Sequence, residues 1–184
     1  MNLKERPTIP GVKLIERRVW SDHRGSFTRT FDYLEHETEG EVFNVRQQNV
    51  SVLNGLGTLK GMHLQNWPSI ERKIVTCVVG SVMDVVVDLR TRSVTYGRYA
   101  MHQLNGLDGY SVLIPAGVAH GMQNLEEHSI VLYAHSDSYK PELESGVHAL
   151  DSTLKIPWPV EPRNLSTRDQ GLPPFLEWID RSDL

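Results

Sequence analysis

Turn residues cut this chain into pieces too short for ordinary helices. Asn54-Gly55-Leu56-Gly57, Gly80-Ser81, Asn105-Gly106, Asp108-Gly109 and Pro115 each interrupt strand-like runs, and almost no helical periodicity lies between them. Strands are expected over 12–19, 26–31, 42–53, 74–79, 82–89, 98–104, 110–114 and 129–135, with one short helix in the acidic segment 33–41. Gly80-Ser81 suits a two-residue hairpin between 74–79 and 82–89. Many short strands at this spacing point to a β-sandwich or barrel. Beyond Tyr139 the pattern breaks into an irregular C-terminal arm punctuated by Pro141, Pro157, Pro159, Pro162, Pro173 and Pro174. No repeat or linker divides the 184 residues, so one all-β domain over 1–184 is expected, long enough to bury a core without disulfides.

Charge and cysteine content narrow the function classes. Nineteen basic against twenty-three acidic residues leave a net charge of −4, which argues against a nucleic-acid binder built on a broad basic surface. The single cysteine, Cys77, cannot pair within the chain; it is expected in a buried strand, in a reducing compartment. The opening Met-Asn-Leu-Lys-Glu-Arg-Pro lacks a signal peptide's apolar stretch, and the longest apolar run, 74–83, falls far short of a membrane span. A cytoplasmic protein without membrane contact is expected. Within 82–89, Met83, Val85, Val87 and Leu89 form an apolar face, while Asp84 and Asp88 share the other with Val82 and Val86. That second face must meet water, a polar cavity or basic partners.

Gly109, Pro115, Gly117, His120 and Asn124 are spaced as G-x5-P-x-G-x2-H-x3-N, with Pro115 ending a strand, Gly117 in a tight turn and His120 starting the returning strand. This spacing resembles the second signature of the cupin superfamily, which implies a double-sheet jelly roll with short helical pieces. The partner signature, G-x5-H-x-H, is met by Gly57 through His63 but then places Gln65 where a second histidine belongs. Glutamine is a poor transition-metal ligand, and Glu71 is off the expected spacing, so no metal is expected. His63 and His120 are then free for acid–base work.

More of the chain resembles one cupin branch, the dTDP-4-dehydrorhamnose 3,5-epimerase family. The resemblance runs through Asp22–Phe27, Gln47–Ser51, Lys60–Gln65, Arg72–Val75, Gly80–Arg90, Ile114–Gly121, Tyr133–Tyr139, Ile156–Pro159 and Leu165–Asp169. It implies a cofactor-independent epimerase of a nucleoside-diphosphate 4-keto-6-deoxyhexose, acting at carbons 3 and/or 5 in deoxysugar biosynthesis. By the same resemblance His63 is the general base, Asp169 the acid that orients it, Tyr133 the proton donor on the opposite ring face and Lys73 the cation beside the ketone. Arg24, Gln47, Asn49, Lys60, His120, Glu144 and Arg168 fall on nucleotide- or sugar-binding positions, and Tyr139 on an aromatic that packs against the base. The family also implies a homodimer with shared active sites, an N-terminal segment of each subunit completing the other's site.

The chemistry explains the residue types. A ketone acidifies both neighbouring carbons, and inversion needs a base on one face and an acid on the other. Imidazole, with an ordinary pKa of about 6.5, can accept the proton, while a phenol near 10 arrives protonated. An ammonium can steady the enolate oxygen, and a carboxylate on the far ring nitrogen fixes the imidazole tautomer. Taken singly, each residue has a plainer reading: His63 structural, Tyr133 a core aromatic, Asp169 a cap or turn residue, Lys73 a surface charge. His120 fits either a sugar contact or a structural role, with Asp84 orienting it or forming a salt bridge at the cavity mouth.

Four positions depart from the family pattern: Arg29 replaces a glutamate, Lys60 an arginine, Leu64 an aromatic and Gln48 an aspartate. Lysine keeps the charge but loses the fork of guanidinium. The catalytic set is kept and the binding set altered, which favours the same chemistry on a shifted substrate. The alternatives are an epimerase acting at one centre or on another nucleotide sugar, then a metal-dependent cupin, then a non-catalytic sugar-nucleotide-binding cupin.

Overall fold

The computed structural model describes residues 9–32, 42–106 and 108–178. The helix expected over 33–41 lies outside these residues. The described residues form twelve strands: β1 (Lys13–Glu16), β2 (Val19–Asp22), β3 (Gly25–Thr28), β4 (Gln47–Asn54), β5 (Leu59–Gln65), β6 (Lys73–Val79), β7 (Ser81–Asp88), β8 (Tyr99–Asn105), β9 (Tyr110–Ile114), β10 (Val118–Asn124), β11 (His128–His135) and β12 (Glu144–Gly146). A four-residue helix, α1 (Thr167–Gln170), follows in the C-terminal arm. Two five-stranded sheets face each other, in the orders β1-β9-β6-β11-β4 and β12-β5-β10-β7-β8, and β2 and β3 form a separate ribbon. All strand pairs within them are antiparallel. This is the expected double-sheet jelly roll.

The hairpin expected at Gly80-Ser81 is not formed. β6 and β7 lie in different sheets, so the turn hands the chain across the sandwich. Gly80 has φ +76°, and a Cβ there would stand 2.4 Å from the His128 carbonyl oxygen, which leaves room only for glycine where the crossing chain meets β11. Several strand limits also move. The segment 12–19 divides between β1, which joins the first five-stranded sheet, and β2, which pairs only with β3; β4 starts at Gln47 rather than 42, and β10 starts at Val118, before His120.

Strand alternation sets the layers. Leu53, Val75, Cys77, Val112 and Val131 of one sheet meet Val82, Val86, Leu104, Val118 and Met122 of the other, all buried. On the outer side of the second sheet, Leu59, Met62, Val85, Val87 and Leu89 are covered by Val147, Leu154, Ile156, Phe175 and Trp178. Fully burying one such side chain stabilises by about 1.5–3 kcal/mol, enough for the arm's few anchors to fasten it despite its lack of regular structure. The predicted apolar face of β7 is thus the one under the arm, and Asp84 and Asp88 point into the sandwich. Both are fully buried and both have basic partners: Asp88 accepts from Arg90, Ser93 and Thr95, and Asp84 from His120.

Candidate active site

The inner face of the first sheet is apolar at one end and polar at the other. Gln47, Asn49 and Ser51 alternate along β4, while across β11 His135 lies opposite Gln47 and Tyr133 opposite Asn49. Across the next ladder His135 is opposite Lys73 of β6. The second sheet contributes His63 opposite His120, and Lys60 opposite Met122. That second pairing requires an irregularity, because Lys60 and His63 are three residues apart while Met122 and His120 are two apart. β5 therefore carries a bulge, and the extra residue lets both Lys60 and His63 line the same cavity.

Gly61 makes the bulge possible. Its φ is +112°, and a Cβ would lie 2.5 Å from the Cα of Gly121 on β10. Its N–H leaves the ladder and donates to Asp169 Oδ2 at 3.1 Å. The other carboxylate oxygen, Oδ1, accepts from His63 Nε2 at 2.9 Å. Asp169 sits in the single turn of α1, where Ser166 caps its backbone N–H at 3.1 Å. Burial works against its ionisation, but the bonds from His63, Gly61 and Ser166 and the charge of His63 prevail and hold the carboxyl at about 2 instead of 3.8. The ionised carboxylate thereby fixes hydrogen on Nε2 and leaves Nδ1 of His63 as the basic nitrogen.

These groups line a cavity of about 720 Å³. Eleven of the twelve residues singled out in the sequence are on its wall: His63, Tyr133, Asp169 and Lys73, together with Gln47, Asn49, Lys60, His120, Tyr139, Glu144 and Arg168. Tyr133 comes from the first sheet and His63 from the second, so the phenol and the imidazole approach the cavity from opposite layers. The phenol lies 3.4 Å from Met122 Sδ and its ring meets His120 edge-on, with centroids 6.0 Å apart. Burial and then the Asp84 carboxylate push its pKa well above 10, against a weaker opposing bond with Ser51, so the phenol keeps its proton. Lys60 donates to Ser51 Oγ at 2.7 Å. At the mouth, Arg168 Nη1 binds both oxygens of Glu144 at 2.8 Å and Tyr139 donates to Glu144 at 2.6 Å, while Arg168 Nη2 lies 3.2 Å from His63 Nε2.

His120 Nε2 bonds Asp84 Oδ2 at 2.6 Å deep in the wall, so Asp84 orients this ring from below and does not form a salt bridge at the mouth. Gln65 donates to the Ser138 carbonyl and accepts from the Lys140 N–H, tying down the 138–140 segment. Among the described residues no cluster of three His, Cys, Asp or Glu side chains is arranged to hold a metal ion. Arg24 is the exception to the gathering. It lies in the exposed β2–β3 turn, paired with Asp22, outside the cavity. Ser51, Met122, Glu71 and His135 also line the cavity but carry no role from the sequence. Alternation along 47–51 and 133–135 holds the signal for Ser51 and His135; Glu71 precedes its strand and has none.

Comparisons with known proteins match the chain along most of its length. Residues 6–177 match the family model described as dTDP-4-dehydrorhamnose 3,5-epimerase. The enzyme of that name from Mycobacterium tuberculosis is 37% identical over 171 residues, covering 91% of this chain and 84% of its own length. A dTDP-4-dehydrorhamnose 3-epimerase from Streptomyces niveus is 37% identical over 163 residues, covering 88% of this chain and 78% of its own. Among solved structures, the dTDP-6-deoxy-D-glucose-3,5-epimerase RmlC from Legionella pneumophila in complex with dTDP-4-keto-L-rhamnose superimposes with a TM-score of 0.88 at 32% identity, covering 95% of this chain and 93% of that one. With the fold and nearly the whole length in agreement, the chain belongs to the dTDP-4-dehydrorhamnose 3,5-epimerase family.

Proposed function

We propose that this chain epimerises a nucleoside-diphosphate 4-keto-6-deoxyhexose, of the dTDP-4-dehydro-6-deoxyglucose type, at carbon 3 and/or carbon 5. The observation that carries this reading is a His63–Asp169 pair and a Tyr133 phenol on opposite layers of one cavity, with Lys73 beside them. His63 Nδ1 takes the proton from the carbon next to the ketone, and the C–H electron pair moves onto the ketone oxygen. Lys73 steadies that enolate oxygen. Tyr133 then delivers its proton to the other face of the same carbon, which inverts it, and solvent restores the imidazole and the phenol. Asp169 stabilises the transient imidazolium without leaving its two bonds. The acid–base steps need only groups of the chain, so no cofactor enters.

Gln47, Asn49, Lys60, His120, Glu144 and Arg168 would hold sugar and diphosphate, and Tyr139, half exposed at the rim, the base. Arg24 serves the partner's cavity in a homodimer with shared sites. The β2–β3 ribbon supports this: Trp20 and Phe27 pack on it with tilted rings, centroids 5.7 Å apart, and remain 40% and 63% exposed, an aromatic surface that an isolated two-stranded ribbon needs to cover. We place the enzyme in the cytoplasm, a reducing compartment that suits its free, buried Cys77; no helix among the described residues is long and apolar enough to cross a membrane. The deciding experiment incubates the protein with dTDP-, GDP- and UDP-linked 4-keto-6-deoxyhexoses in heavy water. Mass increases by one deuterium for one centre and by two for both, NMR assigns the positions, and no exchange with any of them refutes the reading.

A further inference from the structure

A row of hydrogen bonds along the first sheet's wall has only one possible direction. The Tyr139 backbone N–H, which can only donate, lies 2.9 Å from Gln47 Oε1. That fixes Gln47 Nε2 as the donor to Asn49 Oδ1 at 3.1 Å, and Asn49 Nδ2 as the donor to His135 Nε2 at 3.2 Å. His135 Nε2 must therefore be the bare nitrogen and Nδ1 the protonated one, and Nδ1 donates to Glu71 Oε1 at 2.9 Å. The row ends there, because a carboxylate only accepts. Burial opposes the charge on Glu71, but the His135 bond and the Lys73 ammonium, 3.3 Å from its other oxygen, outweigh it and lower the pKa. A fixed donor at one end and a fixed acceptor at the other leave no freedom between them.

We propose that Glu71 and His135 are positioning residues that hold the carboxamides of Asn49 and Gln47 in a single orientation, leaving each with one N–H to donate to oxygen atoms of the nucleotide-sugar substrate. The proposal rests on the reading of the cavity as a nucleotide-sugar site. Each amide oxygen already accepts one bond and each amide nitrogen already gives one, so the spare N–H groups form a donor pair suited to phosphate, hydroxyl or ketone oxygen. If the row ran the other way, the cavity would offer a different pattern. Both ring nitrogens of His135 are engaged, Nε2 by Asn49 and Nδ1 by Glu71, so the pair acts through its neighbours rather than as a second base.

The first test needs no substitution. In the ligand-free protein labelled with ¹⁵N at histidine, the two-bond proton–nitrogen spectrum at about pH 8 should show His135 protonated on Nδ1 and bare on Nε2. Hydrogen on Nε2 overturns the proposal whatever the substrate is. The second test compares His135→Leu with His135→Gln, whose carboxamide can accept from Asn49 and donate to Glu71. Glu71 itself is avoided because its loss would also free Lys73. His135→Leu should weaken dTDP binding, read by calorimetry, and raise KM, each about tenfold with kcat within about threefold, while His135→Gln recovers most of the loss. Equal losses in the two folded variants, or a loss confined to kcat, overturn it. Wild-type protein that neither binds dTDP nor exchanges deuterium with a 4-keto sugar instead refutes the proposed function, and the nitrogen spectrum still decides the direction of the row.

Discussion

Replacing Asp169 by asparagine tests both halves of what that carboxylate does. The wild-type group accepts from His63 Nε2 and from the Gly61 N–H, one on each oxygen. Asparagine has one acceptor, so its NH2 must face one of two donors. Turned toward Gly61 it leaves a buried N–H unmatched; turned toward His63 it forces the hydrogen onto Nδ1, the nitrogen that has to take the substrate proton. The second arrangement removes the base, and in a comparable Asp–His pair such a tautomer error costs about 10⁴ in kcat. The stability effect follows from the ionisation. A carboxyl held at about 2 rather than 3.8 stabilises the fold by about 2 kcal/mol once the pH is above its unfolded value. Below that value the unfolded chain takes up the proton first, so roughly half of the effect is gone near pH 3, and the rest is lost as pH falls through the folded value. Urea unfolding should therefore show Asp169→Asn less stable by about 2 kcal/mol at pH 7 and by about half of that near pH 3. Deuterium exchange into a 4-keto sugar should fall by three to four orders of magnitude, on the order of the 10⁴ above. A variant within tenfold of wild-type turnover, with the same stability deficit at both pH values, would refute the reasoning.

Tyr133→Phe should keep proton removal but lose inversion: NMR should find deuterium in recovered substrate, with epimer formation down by about 10²–10⁴, and full-rate inversion would remove the phenol from the mechanism. Gly61→Ala puts a Cβ 2.5 Å from Gly121 at φ +112°; a destabilisation of about 1–3 kcal/mol or more by thermal melting is expected, with disproportionate loss of turnover as His63 shifts, and a neutral result would mean the bulge is not constrained. For the homodimer, neither Arg24→Ala nor His63→Ala alone should be active at subsaturating substrate, while mixed subunits should regain activity, since one site of each heterodimer receives an intact His63 and the partner's intact arginine; no recovery on subunit exchange counts against shared sites. Trp20→Ser with Phe27→Ser should give a monomeric mass by light scattering, and an unchanged mass would place the interface elsewhere.

Local chemistry made much of this architecture readable in advance. Alternation located β4, β7, β9 and β11, and the strand–Pro115–Gly117–strand passage appears where the spacing put it. What failed was information that local sequence does not contain. Gly80-Ser81 reads as a turn and is one, but whether the two strands pair with each other or enter different sheets depends on partners far along the chain. β5 was not legible because Leu59–Gln65 holds two inward polar residues at a spacing of three, which breaks strand alternation until the bulge is known. The proposed catalytic and binding residues came from family resemblance, not from pattern, and the cavity gathers all of them except Arg24. Glu71 escaped because a lone acid before a strand looks like a solvated charge, and its burial against His135 and Lys73 is a tertiary fact.

The extra residue in β5 has a practical meaning for anyone wishing to transplant this chemistry. On an unbroken strand, side chains three apart point to opposite sides, so copying Lys60 and His63 onto a regular jelly roll would send one of them under the arm. The missed stitch also frees the Gly61 amide that grips the Asp169 carboxylate. Engineers would have to move the irregularity itself, with both glycines that let the neighbouring strands touch, before moving any reactive group.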